Sequence, residues 1–276
     1  MSEFSLLMSV YSGDDAAHFR RAFLSAVHEQ TRRPSQVVLV QDGPVPDELA
    51  LEISRRIAES PVETTFHVFE RNTGLASALS TGLGLARFDV VARMDADDIS
   101  LPERFERQLP EIEAGADLVG TGMLEFLDDI GSIVGRRVPP SGQERIASYA
   151  RFHDPFSHPT VVYRRAAVEA AGGYQPMGLM EDYWLFARMI QSGATVANLT
   201  EPLVMYRVGA GAYARRGGFA QLRSELALQR AFRRIGFTTP MQYLRNVAVR
   251  GAYRFVPVGV RKIAYRRFIA RGGSAG

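Results

Sequence analysis

Apolar and polar residues follow two different periods along the first part of the chain. Four segments have the apolar runs or the alternation of strands: 4–10, 36–40, 64–69 and 90–94. Three segments between them have the spacing of apolar residues that is typical of helices: 14–30, 49–58 and 75–85. This β-α-β order predicts an α/β fold with a mixed, mostly parallel sheet, in which ligands bind beyond the carboxyl ends of the strands.

The pattern is less regular after Pro102. We predict helices over 103–114, 166–171 and 181–192, a strand over 117–122, and a hairpin over 123–138 with its turn at 128–131. From residue 219 the chain has the pattern of two or three basic helices, separated by Gly236, Pro240 and Pro257. The sequence therefore predicts a main domain over 1–214 and a basic helical extension over 215–276.

Composition narrows the class of protein. The chain has 276 residues, of which 46% are hydrophobic, enough to bury a large core. It contains no cysteine, which excludes a disulfide framework, a thiolate metal site and a cysteine nucleophile, and which fits a reducing compartment. The first ten residues lack a basic leader, and no later segment has about 18 uncharged apolar residues in a row. We therefore expect a cytoplasmic protein without a membrane span.

Charge is distributed unevenly along the chain. Residues 215–276 contain thirteen arginines and Lys262 against one acid, Glu225. Arginines alternate with large apolar groups at 253–256 and 265–269, a pattern typical of helices that lie on anionic membranes. We expect peripheral association with the inner face of the cytoplasmic membrane. In the alternative interpretation, these helices pack on the main domain and expose a solvated basic face.

An acidic cluster, Asp95-Ala96-Asp97-Asp98, directly follows the predicted strand 90–94. Carboxylates two positions apart at a strand end can share a hard divalent cation, which keeps coordination positions open for substrate phosphates. An isolated Asp-x-Asp is more often an acidic turn before a helix, so the metal interpretation depends on the residues around it.

Polar groups also lie at the ends of the other three strands: Ser9 and Tyr11 end the first, Asp42-Gly43 ends the second, and Arg71-Asn72 follows the third. Asp42 can accept a hydrogen bond from the imide N–H of uracil or thymine, and Arg71 can pair with a phosphate. Each motif alone has a simpler interpretation, which is a tight turn for Asp-Gly and a solvated surface charge for the arginine.

Together these motifs resemble the GT-A fold of family 2 glycosyltransferases. The resemblance covers residues 5 to about 207. It rests on Ser-Val-Tyr at 9–11, Gln-Asp-Gly at 41–43, Arg-Asn-x-Gly-Leu-Ala at 71–76, Asp-Ala-Asp-Asp at 95–98 followed by Leu-Pro-Glu-Arg-Phe at 101–105, and Glu-Asp-Tyr-Trp at 181–184.

The resemblance implies a role for each matching donor residue. It places Ser9, Tyr11 and Asp42 against the nucleoside of the donor, and Arg71 near the donor. It further implies that Asp95 binds the ribose and diphosphate, and that Asp97 is the direct ligand of Mg²⁺ or Mn²⁺.

Glu181 and Asp182 begin a predicted helix, where acids commonly cap free N–H groups. The resemblance instead implies that the second residue of this pair, Asp182, is the general base. A carboxylate there would take the proton of an acceptor hydroxyl as that hydroxyl attacks the anomeric carbon in one displacement, so the configuration would invert.

The remaining candidates lie on the acceptor side and near the diphosphate. The resemblance implies acceptor-side positions for His158 and Glu181 and a diphosphate contact for Arg207, although a lone histidine is more often structural. Trp184 is the sole tryptophan and can stack on a sugar or pack in the core. Residues 208–212 depart from the histidine and serine that the family often has after the arginine, so the resemblance does not carry over phosphate or metal contacts to these positions.

The sequence thus predicts transfer of a sugar from a UDP- or dTDP-sugar to a saccharide or a polyprenyl-linked acceptor. A nucleotidyltransferase is an alternative, but the first loop, 12–15, lacks the basic residue that would hold a triphosphate. A nucleic-acid-binding module would explain the basic extension but not the acidic strand ends, so we expect no nucleic acid partner. A catalytically inactive relative is the third alternative.

Overall fold

A mixed sheet of nine strands forms the centre of the described chain in a computed structural model, which describes residues 2–127, 131–208 and 219–255. The strands are β1 (Phe4–Val10), β2 (Gln36–Gln41), β3 (Thr64–Val68), β4 (Val90–Met94), β5 (Ile99–Ser100), β6 (Leu118–Phe126), β7 (Ile133–Arg137), β8 (Val162–Arg164) and β9 (Val196–Arg207). The α-helices are α1 (Ala16–Phe23), α2 (Asp47–Ala58), α3 (Leu75–Leu85), α4 (Arg104–Glu113), α5 (Gln143–Tyr149), α6 (Arg165–Ala170), α7 (Glu181–Gln191), α8 (Phe219–Arg234) and α9 (Pro240–Phe255).

The strand order explains where the motifs meet. The sheet runs β3-β2-β1-β4-β8-β6-β9-β5, with β7 paired to β6. The neighbours among β1 to β4 are parallel, β9 is parallel to β6, and the short pairings of β8, β7 and β5 are antiparallel. Because β1, β2 and β4 point the same way, the residues that follow them lie together at one edge of the sheet.

Both faces of the parallel strands β1, β2 and β4 are buried. Side chains of β1 alternate between two hydrophobic clusters: Phe4, Leu6 and Met8 pack on one side with α1 and α4, and Leu7 packs on the other side with α3 and α7. The sheet is therefore held rigidly between two helical layers, which fixes the positions of the strand ends.

The predicted elements agree with the structure in type over most of the chain. Asp15 caps α1 by accepting from the N–H groups of Ala17 and His18, and the predicted helix 14–30 continues as a π-helix over Leu24–His28. The predicted hairpin is present as β6 and β7, and most of its turn, 128–130, lies outside the described residues. The sequence pattern did not predict the strands β5, β8 and β9 or the helix α5. β8 has only three residues, and β9 contains Pro202 at a register shift.

The helix α8 packs against α7, and α9 packs against α8 and bonds to the carbonyls of Arg151 and Phe152. The ring centroid of Phe232 lies 5.0 Å from that of Tyr183, 6.1 Å from that of Trp184 and 5.0 Å from that of Phe237. The alternative interpretation of the extension, packing on the main domain, therefore describes these two helices. The boundary at residue 214 and any third helix beyond Pro257 lie outside the described residues. None of the described helices is both long and apolar enough to cross a bilayer.

Candidate active site

Two adjoining cavities open at the carboxyl edge of the parallel strands. The first, of about 700 Å³, is lined by six predicted donor-site residues: Ser9, Tyr11, Asp42, Asp95, Asp97 and Arg207. The second, of about 520 Å³, is lined by His158, Glu181 and Asp182 among others. Four residues line both cavities: Leu75, Arg93, Asp95 and Glu181. The wall that the cavities share thus contains one residue predicted for the donor side, Asp95, and one predicted for the acceptor side, Glu181.

Asp42 holds the loop that follows β3. Its Oδ1 accepts from the backbone N–H of Thr73 at 2.6 Å and from the Thr73 hydroxyl at 2.9 Å, and its Oδ2 accepts from the N–H of Gly74 at 2.9 Å. A carboxylate has about four acceptor positions, so one more donor can still reach Asp42. The side chain is only 5% exposed and lines the first cavity.

Gly43 lets the 72–74 loop approach the end of β2 closely. Its φ is +89°, and a Cβ built there would lie 2.5 Å from the backbone nitrogen of Asn72. Glycine is therefore required both by the backbone conformation and by the space. The Gln-Asp-Gly motif places the Asp42 carboxylate and then turns the chain away from the 72–74 loop.

Three carboxylates meet at the end of β4. Oxygen atoms of Asp95, Asp97 and Asp98 all lie within 4.8 Å of one another. Asp98 is fully buried; its Oδ1 accepts from the N–H of Arg207 at 2.9 Å, and its Oδ2 has no hydrogen-bond partner in the described structure. Carboxylate oxygens at this spacing, one of them buried without a donor, suit a divalent cation.

Buried arginines balance this acidic cluster. Arg93, on β4, is 2% exposed and pairs with Asp95. Burial raises the pKa of Asp98 well above its usual range, and Asp97 raises it further, whereas the charges of Arg93 and Arg207 lower it. Burial and the charge of Arg93 lower the pKa of Arg104, which lies behind the cluster, to about 9. The positive charges of these arginines therefore lie beside the negative charges of the acidic cluster.

A second cluster of carboxylates, Asp154, Glu181 and Asp182, lines the second cavity. Asp182 lies in the first turn of α7, and burial raises its pKa. Burial and then Asp182 raise the pKa of Asp154 well above its usual range, and the same two causes raise the pKa of Glu181 to about 7. Clustered carboxylates with raised pKa values are typical of sites that accept protons near neutral pH.

Two of the predicted site residues, Arg71 and Trp184, line neither of these two cavities. Arg71 is exposed and lines neither of these two cavities. Trp184 also lies outside both: its Nε1–H donates to Oε1 of Gln175 at 3.0 Å and its ring packs in the cluster with Phe232, so the structure favours the core interpretation.

His158 both lines the second cavity and supports it. Its Nε2 hydrogen-bonds the Tyr174 hydroxyl at 3.1 Å, and that hydroxyl lies 3.3 Å from the hydroxyl of Tyr163. Burial and the charge of Arg93 lower the pKa of His158 well below its usual range, so the ring is neutral. His158 therefore has a structural role in bonding Tyr174, and it also forms part of the cavity wall.

Sequence reasoning did not assign roles to three residues that the structure brings into the site: Arg93, Asp98 and Asp154. The signal for Arg93 was a lone charge inside the apolar run of β4. Asp98 was visible in the acidic cluster but was not distinguished from its neighbours. Asp154 follows no strand or motif, so its approach to Asp182 depends on tertiary structure alone.

The sequence is similar to a family model and to characterised relatives. The family model for glycosyl transferase family 2 matches residues 5–172. The chain is 36% identical over 269 residues to the amylovoran biosynthesis glycosyltransferase AmsE of Erwinia amylovora, covering 96% of this chain and 98% of that protein. It is 30% identical over 274 residues to the UDP-Gal:alpha-D-GlcNAc-diphosphoundecaprenol beta-1,3-galactosyltransferase of Escherichia coli, covering 98% and 97% of the two chains.

Solved structures share the fold. Residues 1–349 of TarS from S. aureus, in complex with UDP-GlcNAc, superpose with a TM-score of 0.67 at 14% identity, over 97% of this chain and 76% of that one. The mannosyltransferase PcManGT from Pyrobaculum calidifontis, in complex with GDP-Man and Mn²⁺, gives a TM-score of 0.61 at 17% identity, over 99% and 76%. The GT-A fold predicted from the sequence is confirmed, and the chain belongs to glycosyl transferase family 2.

Proposed function

We propose that this glycosyltransferase is an inverting, metal-dependent enzyme that moves a hexose from a UDP- or dTDP-sugar to a hydroxyl of a polyprenyl-diphosphate-linked or polysaccharide acceptor. The observation that carries the proposal is the shared wall between the two cavities: Asp97 lines the first cavity and Asp182 lines the second. A donor and an acceptor bound in the two cavities would meet at this wall, beside Arg93 and Glu181.

The first cavity has the groups that a pyrimidine nucleotide needs. The one remaining acceptor position of Asp42 suits the imide N–H of uracil or thymine. The ring of Tyr11 is 43% exposed and lies over Gly13, where a Cβ would come within 2.6 Å of the ring. Glycine at 13 thus leaves room for this ring, which offers an apolar face to the nucleoside.

The acidic cluster fits a bound Mg²⁺ or Mn²⁺, with Asp97 as the predicted direct ligand and Asp95 and Asp98 beside it. Such a cation, when bound, neutralises the diphosphate that leaves with the nucleoside. Arg207 lines the same cavity and gives one of its five N–H donors, the Nε–H, to the carbonyl oxygen of Asp97 at 3.0 Å. The guanidinium keeps its positive charge and its other N–H donors, which suit the diphosphate oxygens.

Asp182 would act on the other side of the wall. The acceptor hydroxyl loses its proton to the Asp182 carboxylate as its oxygen bonds to the anomeric carbon, and the bond from that carbon to the diphosphate oxygen breaks. One displacement inverts the configuration. The raised pKa of Asp182 makes it a stronger base than an ordinary aspartate, which suits proton transfer near neutral pH.

The relatives support the substrate classes. The name of the E. coli relative gives a UDP-sugar donor and a sugar on a diphosphate-linked polyprenol as acceptor, and the TarS structure contains UDP-GlcNAc. The PcManGT complex contains Mn²⁺. Acceptors of this class would place the enzyme at the cytoplasmic face of a membrane.

A binding screen followed by product analysis tests the proposal. Thermal shift with UDP-, dTDP- and GDP-sugars, with and without Mn²⁺, should show a shift for a uridine or thymidine donor that depends on the metal. NMR of the product formed from an alpha-linked donor should then show a beta linkage. No shift with any donor, or a product of retained configuration, would contradict the corresponding part of the proposal.

A further inference from the structure

The helix α9 presents two opposite faces. Asn246 is buried on one face, where its Nδ2–H donates to the carbonyl of Arg151 at 2.8 Å and to Oε1 of Gln229 at 2.9 Å. The other face, here named the α9 stripe, consists of exposed residues at helical spacing: Met241, Leu244, Arg245, Ala248 and Val249. Three of these are large apolar side chains, of which 82%, 68% and 56% of the surface is exposed. Side chains of this kind in a row indicate a surface that meets an apolar partner.

The charge around the α9 stripe defines the partner further. The sequence of α9 itself, Pro240–Phe255, has three arginines and no acid. Arg245 lies within the stripe, and Arg233 and Arg234 are exposed at the end of α8, just before α9 begins. A surface that is both apolar and strongly basic matches the boundary of a bilayer with anionic headgroups. Nucleic acid would match the arginines but would leave Met241 and Leu244 without an apolar environment.

The α9 helix is also bonded to the rim of the second cavity. Arg250 donates to the carbonyl of Phe152 at 2.9 Å, and the guanidinium of Arg245 lies 4.5 Å from the ring centre of Phe152. Tyr149 and Asp154, on either side of Phe152 in the sequence, line the second cavity. A partner that binds the stripe therefore comes close to the cavity in which the acceptor is proposed to bind.

We propose that the α9 stripe docks this enzyme on an anionic phospholipid surface, with Met241, Leu244 and Val249 in the headgroup boundary. The docked orientation presents the second cavity to a lipid-linked acceptor; only this orientation for the acceptor rests on the proposed function. The extension thus gives the enzyme its place of action as well as a packed support for α7.

Vesicle sedimentation of the full chain tests the docking. The wild-type protein should sediment with vesicles of equal parts phosphatidylcholine and phosphatidylglycerol and remain in solution with phosphatidylcholine alone. The double variant Leu244→Glu, Val249→Glu should lose roughly tenfold or more of this binding, because two apolar contacts are lost and two negative charges face an anionic surface. Leu51→Glu is the matched control, since Leu51 is a 63% exposed leucine on α2 and should leave vesicle binding unchanged.

Three outcomes would overturn the docking proposal. They are no binding of wild type to the anionic vesicles, equal binding by the double variant, and a wild-type dimer that the double variant alone dissociates in the absence of vesicle binding. Calorimetry of UDP binding to the same preparations checks that the variants are folded. It also tests the proposed function separately, because vesicle binding requires no nucleotide.

Discussion

The backbone N–H of Arg207 donates to Oδ1 of Asp98 at 2.9 Å, although 109 positions separate the two residues in the sequence. The Arg207 side chain bonds the carbonyl of Asp97 as well, and its guanidinium lies 4.6 Å from the ring centre of Phe126. The end of β9 therefore fixes the acidic turn after β4. The proposed donor site is assembled from two distant parts of the chain, so its geometry depends on the complete sheet.

The metal role of the acidic cluster predicts a specific binding defect. Asp97→Ala should abolish the Mn²⁺-dependent part of UDP binding, because a cation held by the remaining carboxylates would lose its predicted direct ligand. Calorimetry with UDP in Mn²⁺ and in EDTA measures this. Asp47→Ala, at an exposed carboxylate of α2, is the control. Mn²⁺-dependent binding of wild-type strength in Asp97→Ala would exclude the metal role of Asp97.

The assignment of the base predicts a separation of chemistry from binding. Asp182→Asn should reduce kcat for transfer by about 10²–10⁴-fold, the usual contribution of a positioned general base, while UDP affinity stays unchanged. Glu181→Gln should mainly raise the KM for the acceptor, because Glu181 lines both cavities but is not the predicted base. Steady-state kinetics with calorimetry separates the two effects. Wild-type kcat in Asp182→Asn would remove this residue as the base.

Sequence patterns predicted most of the residues that the structure brings together in the first cavity, for a physical reason. Parallel strands bring their carboxyl ends to one edge, so Ser9 at the end of β1, Asp42 just after β2 and Asp97 just after β4 had to lie close together. Arg71 follows the same rule in the sequence, yet the 72–74 loop bonds to Asp42 and leaves Arg71 exposed. A loop's direction depends on hydrogen bonds that no local pattern encodes.

The second cavity was less predictable because part of its lining, including Asp154, comes from irregular segments. Asp154 lies between α5 and the short 3-10 helix at His158–Thr160, where no periodicity marks it. Trp184 had two equal interpretations in the sequence, and only the packing of Phe232 against it distinguishes them. The charge pattern of the extension indicated a basic surface, whereas the contacts of α8 with α7 are visible only in the structure.

The crowded carboxylates of the second cavity predict a pH-dependent stability effect. An acid whose pKa is raised by folding binds its proton more tightly in the folded state, so the folded state loses stability as the pH rises through the folded pKa. Burial and Asp182 raise the pKa of Asp154 in this way. Asp154→Asn should therefore increase the free energy of unfolding at neutral pH, and the gain should shrink as the pH falls toward about 4.

Urea unfolding at several pH values measures this effect. The exposed carboxylate Glu70 offers a control, since Glu70→Gln should change stability little at any of these pH values. Asparagine at 154 retains an oxygen that can accept from the N–H of Phe156, as Oδ1 does at 3.2 Å in the wild type. A loss of stability at neutral pH in Asp154→Asn would contradict the predicted sign.

Asp42 has a proposed role in binding the nucleotide base and a structural role in holding the 72–74 loop, and a variant of Thr73 can separate the two. Asp42→Ala should weaken UDP binding by about 10- to 100-fold, the range for a hydrogen bond to a charged group. Thr73→Val removes one loop bond to Oδ1 but keeps the carboxylate, so we expect a much smaller effect. Calorimetry gives both dissociation constants. Equal losses in the two variants would show that Asp42 acts only by holding the loop.

Phe232 provides a test of whether the extension folds with the main domain. Its side chain is fully buried against Tyr183, Trp184 and Phe237, so Phe232→Ala should cost about 3–5 kcal/mol of unfolding free energy. Leu244→Ala, at a side chain that is 68% exposed on α9, should change it by less than about 0.5 kcal/mol.

Trp184 makes this interface directly observable in the same experiment, because it is the sole tryptophan and its ring lies 6.1 Å from that of Phe232. If α8 and α7 unfold as one unit with the sheet, Trp184 fluorescence and far-UV circular dichroism should give the same urea midpoint, lowered equally in Phe232→Ala. A fluorescence midpoint below the dichroism midpoint in the wild type would instead show that the α7–α8 contact opens before the domain unfolds. Asp182 would then lie on a helix whose position the extension regulates, because α7 carries both the proposed base and the contact with Phe232.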